Sequence, residues 1–413
     1  MTRRIALAAL LGSANALDNG VGLLPPLGYN TWNDLSCSGM SEEAVLSAAD
    51  ALQSKGLMQK GYTYVNLDDC WQDPNGRDPT TGRLRADPKR FPSGMPKLAQ
   101  RLHDKGFKFG IYTDRGKRTC AGREGSEGNE YLDAKTFADW GVDYVKEDNC
   151  FSSSGANDKD TLFEQFALFR DALNKTGRPI FFSVCGGGDQ LPFANLSYYA
   201  RDPRGGKSLA NSWRVTSDVT GSLTFKFSLH VDAGLAEQAG PGGFNDPDML
   251  LGSSPGAARR LSRKGSRTQF NMWAILMAPM LLGADVRQLS TFDLETYTNT
   301  EVLKVSQDPL AKQGGLLCSR GDAYVWGRQL VDGWAILFVS QAWLFRQSVV
   351  CSADCWEKLP FPRNSTVHVQ DLWSEPLPSS EVRAGEEFAL EVEAGDSRFL
   401  KLSMPSSHVD IIV

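Results

Sequence analysis

Histidine is scarce in this chain: 413 residues contain four, His103, His230, His368 and His408. None stands in a paired ligand spacing, which argues against a zinc centre. There is no excess of positive charge, since 44 Lys and Arg against 49 Asp and Glu leave a formal charge of −5. That balance gives no electrostatic reason to expect nucleic acid, whose backbone is bound by a concentrated basic face. Beyond the N-terminus no apolar run reaches the ~18 residues of a membrane-spanning helix, so membrane is not an expected partner either. The first apolar segment ends in Gly28-Tyr29-Asn30 rather than GxGxxG, which disfavours an open, doubly wound dinucleotide-binding sheet. What is abundant is glycine, 40 residues, beside 10 Trp and 8 Cys. Such a composition suits a loop-rich, aromatic-lined, disulfide-bearing protein better than a helical bundle.

Residues 1–16 begin with Arg3 and Arg4, continue through the apolar run Ile5 to Leu11, and end in small residues at Ala14 and Ala16. The pattern predicts a signal peptide and a secreted or secretory-lumen protein, extracellular, lysosomal or vacuolar. Acceptor sequons at Asn174, Asn195 and Asn364 agree with that route. Cys37, Cys70, Cys120 and Cys150 each lie just past an apolar segment. Their placement predicts two bridges between adjacent loops, Cys37–Cys70 and Cys120–Cys150, with a local Cys351–Cys355 bridge as a further candidate. Cys185 and Cys318 have no obvious partner.

From Pro26 to about Asp285 short apolar segments recur every 30 to 45 residues, most of them followed by a turn and a helix-like stretch. Eight segments fit a βα period: Pro26–Tyr29, Tyr62–Leu67, Phe107–Tyr112, Val142–Lys146, Pro179–Val184, Ser212–Thr216, Gly243–Asn245 and Ala278–Leu282. Between them, Ser41 to Lys55 reads as a helix with Ser41 as N-cap and Gly56 as its stop, and Lys97 to Lys105 closes on Gly106 in the same way. Past Leu310 the texture changes to short alternating runs such as Glu387-Phe388-Ala389-Leu390-Glu391-Val392, the mark of antiparallel strands. The expectation is a (β/α)8 barrel over residues 17–308 and an antiparallel β-sandwich over 309–413.

A β/α barrel carries its chemistry where its strands end, and here those ends are rich in aspartate. Asp68 and Asp69 follow the second segment, Asp114 the third, Asp148 the fourth, Asp218 the sixth, and Asp246 and Asp248 the seventh. One aspartate after a strand is ordinarily a helix cap or turn residue. Six or more converging among Trp32, Trp71, Tyr112 and Trp213 instead make a sugar-binding surface. Glycosidic cleavage needs one carboxylate ionised and one carboxyl protonated. Lys146, two residues before Asp148 and so on the same side of the strand, would keep Asp148 ionised as a nucleophile. Asp218 is then the candidate acid/base, with Arg214 four residues away to tune it or to hold a substrate hydroxyl.

The motifs Pro25-Pro26-Leu27-Gly28-Tyr29-Asn30-Thr31-Trp32-Asn33, Tyr64-Val65-Asn66-Leu67-Asp68-Asp69-Cys70-Trp71, Gly110-Ile111-Tyr112-Thr113-Asp114, Tyr144-Val145-Lys146-Glu147-Asp148-Asn149-Cys150 and Gly242-Gly243-Phe244-Asn245-Asp246-Pro247-Asp248-Met249-Leu250 follow one another in order. In this the chain resembles glycoside hydrolase family 27, the melibiase or α-galactosidase family of clan D. The resemblance implies the same two-domain fold, no cofactor or metal, and retaining hydrolysis of terminal α-D-galactosyl residues from oligosaccharides or glycoconjugates. It carries the nucleophile onto Asp148 and the acid/base onto Asp218. Asp68 and Asp69 fall to O4 and O6 of galactose, Lys146 and Arg214 to hydroxyl contacts, Asp248 to a place behind the contacting residues or at the rim, and Trp32, Tyr112 and Met249 to the pocket walls. Cys185 opens the segment that reads the 2-substituent, where the family presents Cys-Glu-Trp or Cys-Ser-Trp. Here it runs Cys185-Gly186-Gly187-Gly188-Asp189. Three glycines supply no side-chain contact at C2, so an α-N-acetylgalactosaminidase or another retaining α-glycosidase is the alternative. A sugar-binding protein without catalysis would have no use for Asp148, Asp218 and Lys146 together. Monomer and homodimer both stay open.

Overall fold

The computed structural model describes residues 19–153, 159–185, 205–221, 234–254, 260–374 and 379–405. The leader and the Gly186–Gly188 segment lie outside them. Among the described residues, eight parallel strands form a curled sheet: β1 Leu27–Asn30, β2 Tyr62–Asn66, β3 Lys108–Asp114, β4 Tyr144–Asp148, β5 Phe181–Val184, β6 Ser212–Arg214, β7 Phe244–Asp246 and β8 Met280–Leu282. All eight coincide with the apolar segments anticipated. Each strand pairs with its neighbour in sequence from β1 to β7, and β8 pairs with β1. The remaining seam, between β7 and β8, is joined just past β7, where Leu250 makes a parallel bridge to Leu282. With Leu250 N–H donating to Leu281 O (2.9 Å) and Gly283 N–H to Leu250 O (2.9 Å), the sheet becomes a barrel.

Local sequence explains the elements. The helix Glu42–Ser54 begins where the Ser41 hydroxyl accepts from Ala44 N–H, lays Val45, Ala49 and Leu52 on the barrel, and stops before Gly56, whose φ of +76° suits glycine. The strands are buried on both faces, as parallel strands under a layer of helices must be. Their crowding dictates Gly28: a Cβ there would stand 2.4 Å from the Tyr64 carbonyl oxygen.

The C-terminal part is antiparallel. A six-stranded sheet runs in the order β14 (Ser379–Arg383), β13 (Thr366–Asp371), β16 (Ser397–Ser403), β11 (Gly333–Ser340), β10 (Ala323–Leu330) and β9 (Gly315–Arg320). It is accompanied by the pair β12 (Gln347–Cys351) and β15 (Phe388–Val392). The helix Arg263–Leu276 lies between barrel and sandwich. Its Thr268 and Asn271 donate to the Ser397 hydroxyl at 3.1 and 3.0 Å, and buried Arg328 of β10 donates to Ala274 O at 2.5 Å. Trp326, Leu337 and Phe399 of the sandwich join the same apolar core as the barrel. Among the described residues no helix is long and apolar enough to cross a membrane.

Two cysteine expectations hold and one does not. Cys37–Cys70 and Cys120–Cys150 are bonded. Cys351 and Cys355 are not; both thiols are free and buried, as are Cys185 and Cys318. Cys355 instead sits in the one-turn helix Ala353–Trp356 with its thiol against those of Cys318 and Cys351, so Cys318 has neighbours that its sequence position does not suggest.

Candidate active site

Strand register brings the candidate residues together. In the β3–β4 ladder Tyr112 pairs with Lys146 and Asp114 with Asp148, so the two inward side chains of β4 end beside those of β3. Asp148 is buried at the strand terminus. Its Oδ2 accepts from the Tyr112 hydroxyl at 3.1 Å and lies 3.9 Å from Lys146 Nζ, while Oδ1 accepts from Asn149 N–H. The ammonium's nearer carboxylate is Asp68, at 2.9 Å. Asn30, at the end of β1, donates to the same Asp68 oxygen at 2.9 Å. Burial opposes the charge on Lys146, but Asp68, Cys185 and Asp148 outweigh it and hold the ammonium well above its ordinary range. A fixed cation thus lies between the nucleophile candidate and the paired aspartates.

The second cluster gathers around Arg214 at the end of β6. Its guanidinium reaches Asp218 at 3.0 Å and Asp248 at 3.3 Å, and touches Cys185 Sγ at 3.5 Å. The Asp218 side chain is half exposed. An arginine contact favours the ionised form of an acid. Here the guanidinium is divided between two acids, which weakens its hold on either. Asp248 is buried, not at the open rim. It adopts φ +83°, its Oδ2 accepts from Val219 N–H at 2.7 Å, and it thereby anchors the segment that carries Asp218. Burial, against the pull of Arg214 and with Asp218 and Asp246 adding, raises its carboxyl to about 6. The Cys185 thiol is within electrostatic reach of both Asp148 and Asp218, which puts it between the two clusters; burial, then Asp148, pushes it well up.

A narrow cavity opens between the clusters, and Lys146, Cys185, Arg214, Asp248 and Met249 are among its walls. Asp246, one of the strand-end aspartates, lines it too, as do Asn30 and Ser183, which the sequence reading does not single out. Each is a polar residue at or near a strand end, the signal that marked the aspartates. Trp32 is partly buried and packs on the apolar cluster that contains Met249. Two aromatics read as pocket platforms are not available to a sugar. Trp71 is fully buried against Phe137 and Trp140 with its indole N–H on Tyr112 O, and Trp213 is fully buried with its N–H on Asn245. Their rings bind the barrel to its helices.

Both disulfides support this geometry. Cys70 follows Asp68 and Asp69, and Asp69 accepts from Ala121 N–H at 2.8 Å beside Cys120; Cys150 follows Asp148 and donates its N–H to Asp114. The loops holding four of the aspartates are therefore tied to one another. Asp114, Cys120, Asp148 and Cys150 present their ligand atoms within 4.8 Å of one another. The sulfurs are spent in the disulfide, so the set does not suit a metal ion.

Carboxylates in two electrostatically distinct clusters, gathered at the strand ends of a barrel, define a glycoside hydrolase acting on O-glycosidic bonds. The chain belongs to the melibiase family: the family profile described as alpha galactosidase A matches residues 25–308, and that of the alpha galactosidase C-terminal beta sandwich domain matches residues 320–402. An alpha-galactosidase of Cyamopsis tetragonoloba is 39% identical over 372 residues, covering 89% of this chain and 84% of that protein. One of Coffea arabica is 37% identical over 94% of this chain and 96% of its own length. The crystal structure of alpha-galactosidase I from Mortierella vinacea superposes with a TM-score of 0.83 at 30% identity, covering 94% and 98% of the two chains.

Proposed function

We propose that the protein is a secreted, retaining α-galactosidase that removes terminal α-D-galactosyl residues by double displacement. The observation that carries the reading is the division of the site into two clusters. Asp148, buried beside a permanently charged Lys146, is suited to attack C1 as a carboxylate. Asp218, half exposed and sharing Arg214 with Asp248, is suited to give a proton to the departing oxygen and later to take one from water. Asp68 and Asp69 hold O4 and O6, Lys146 and Arg214 hold ring hydroxyls, and Trp32, Tyr112, Cys185 and Met249 form the walls. Residues 17–308 form the catalytic barrel and 309–413 the sandwich, and two formed disulfides agree with an oxidising compartment. The Asp148→Asn variant is expected to fold and to lose more than about a thousandfold in turnover of an aryl α-galactoside. Retention of more than about a thousandth of wild-type turnover, or first release of the β-anomer by NMR, refutes the assignment.

A further inference from the structure

Asp68 is the carboxylate closest to the Lys146 ammonium, and the direction it faces is set from the end of β1. Asn30, the last residue of that strand, is 3% exposed and lines the cavity. Its amide is engaged at both ends: Oδ1 accepts from Trp32 N–H at 2.8 Å, and Nδ2 donates to Asp68 Oδ2 at 2.9 Å. A backbone N–H can only donate, so the amide oxygen faces Trp32 and the amide nitrogen faces Asp68. A flipped amide would set N–H against N–H and oxygen against oxygen. An asparagine that accepts from the N–H two residues on is a common turn device. That device accounts for the contact with Trp32 and leaves the contact with Asp68 to be explained.

The Asp68 carboxylate takes its donors unequally. Among the described residues, Oδ2 accepts from Asn30 and from Lys146 Nζ, each at 2.9 Å, whereas Oδ1 accepts from Asp69 N–H at 3.0 Å. Each carboxylate oxygen offers two lone pairs, so Oδ2 is filled and Oδ1 keeps one for a hydroxyl.

Lys146 does not set this orientation by itself. It is an ammonium on a flexible stem whose three donors rotate, and it also lies 3.9 Å from Asp148. The planar Asn30 amide instead has a fixed donor direction, held from behind by the backbone of Trp32. The same turn adds two further ties, with Thr31 Oγ1 accepting from Asp68 N–H at 2.9 Å and Thr31 N–H donating to Asn66 O at 3.1 Å.

We propose that Asn30 is a positioning residue for the reaction: its amide fixes the Asp68 carboxylate relative to Trp32, so that Oδ1 is the oxygen presented to a sugar hydroxyl. The proposal rests on the reading of Asp68 as a substrate contact. The test measures kcat and KM on an aryl α-galactoside for wild type, Asn30→Ala, Asn30→Asp, Asp68→Ala and the Asn30→Ala/Asp68→Ala double variant. Asn30→Ala should raise KM about tenfold with kcat within about threefold of wild type. Asn30→Asp keeps the side-chain shape and the acceptor for Trp32 N–H but removes the donor; at pH 7, above the ordinary carboxyl range, it should raise KM as Asn30→Ala does. In the Asp68→Ala background, Asn30→Ala should change KM less than about twofold, because no carboxylate remains to be positioned. A wild-type KM in Asn30→Asp assigns Asn30 to its turn alone and overturns the proposal. So does an effect of Asn30→Ala that is undiminished in the Asp68→Ala background. An Asp68→Ala variant as active as wild type refutes the reading of Asp68 as a substrate contact, and the proposal with it.

Discussion

Glu147 sits between Lys146 and Asp148, and the alternation of β4 turns it away from the mouth into the layer between barrel and helices. It is fully buried, and neither carboxylate oxygen has a hydrogen-bond partner. Burial first, then the neighbouring Asp114 and Glu130, push its carboxyl well above the ordinary 4.5, which favours its protonated form in the fold. An acid whose folded pKa is raised contributes its stability fully below the unfolded pKa and loses it as pH rises toward the folded one. Each unit in that window costs about 1.4 kcal/mol. Between pH 4.5 and 7 the native state should therefore lose stability through this one group, with about 3 kcal/mol as the ceiling that 2.5 pH units set. Glu147→Met keeps the volume and removes both the unpaired polar atoms and the titration. It should be more stable than wild type by about 1–3 kcal/mol at pH 4.5, and by more than that, up to about 3 kcal/mol further, at pH 7. Urea unfolding of both proteins at the two pH values measures the difference, and comparing the pair cancels every other carboxylate. A stability gain that is the same at pH 4.5 and pH 7 would mean that Glu147 titrates as in water, and the account of its burial would fail.

Other outcomes follow from the same geometry. Gly28→Ala, which forces a Cβ to 2.4 Å from the Tyr64 carbonyl, should cost about 3 kcal/mol or more, read as a lowered denaturation midpoint. Asp68→Asn removes the closest carboxylate of Lys146, so kcat/KM for an aryl α-galactoside should fall about 10- to 150-fold with melting nearly unchanged; an unaltered kcat/KM would remove Asp68 from the site. Cys185, Cys318, Cys351 and Cys355 should resist iodoacetamide in the native protein and all react once it is unfolded without reductant. Mass spectrometry counts the labels, and only two would show a third disulfide.

The barrel was legible because its strands and its chemistry share one signature. Parallel strands buried on both faces read as short apolar runs, and the polar residue closing each run stands at the mouth, so a single pass along the chain located β1 to β8 and most of the carboxylates. What the pass missed lies where one-dimensional spacing and spatial distance separate. Trp71 and Trp213 occupy mouth-proximal positions in the sequence, yet their rings swing into the helix layer because only there can an indole of that size be buried with its N–H satisfied. Cys318 finds Cys355 only after β9 and the turn beyond β12 are folded against each other. Strand spacing makes Lys146 a neighbour of Asp148 but does not show that the side chain leans across to Asp68. That displacement has a chemical consequence. A cation 2.9 Å from Asp68 and 3.9 Å from Asp148 stands beside the second carboxylate without forming a close pair with it. Asp148 then accepts hydrogen bonds from the Tyr112 hydroxyl and from Asn149 N–H and, as the proposed nucleophile, has no close ion pair to break before attack at C1.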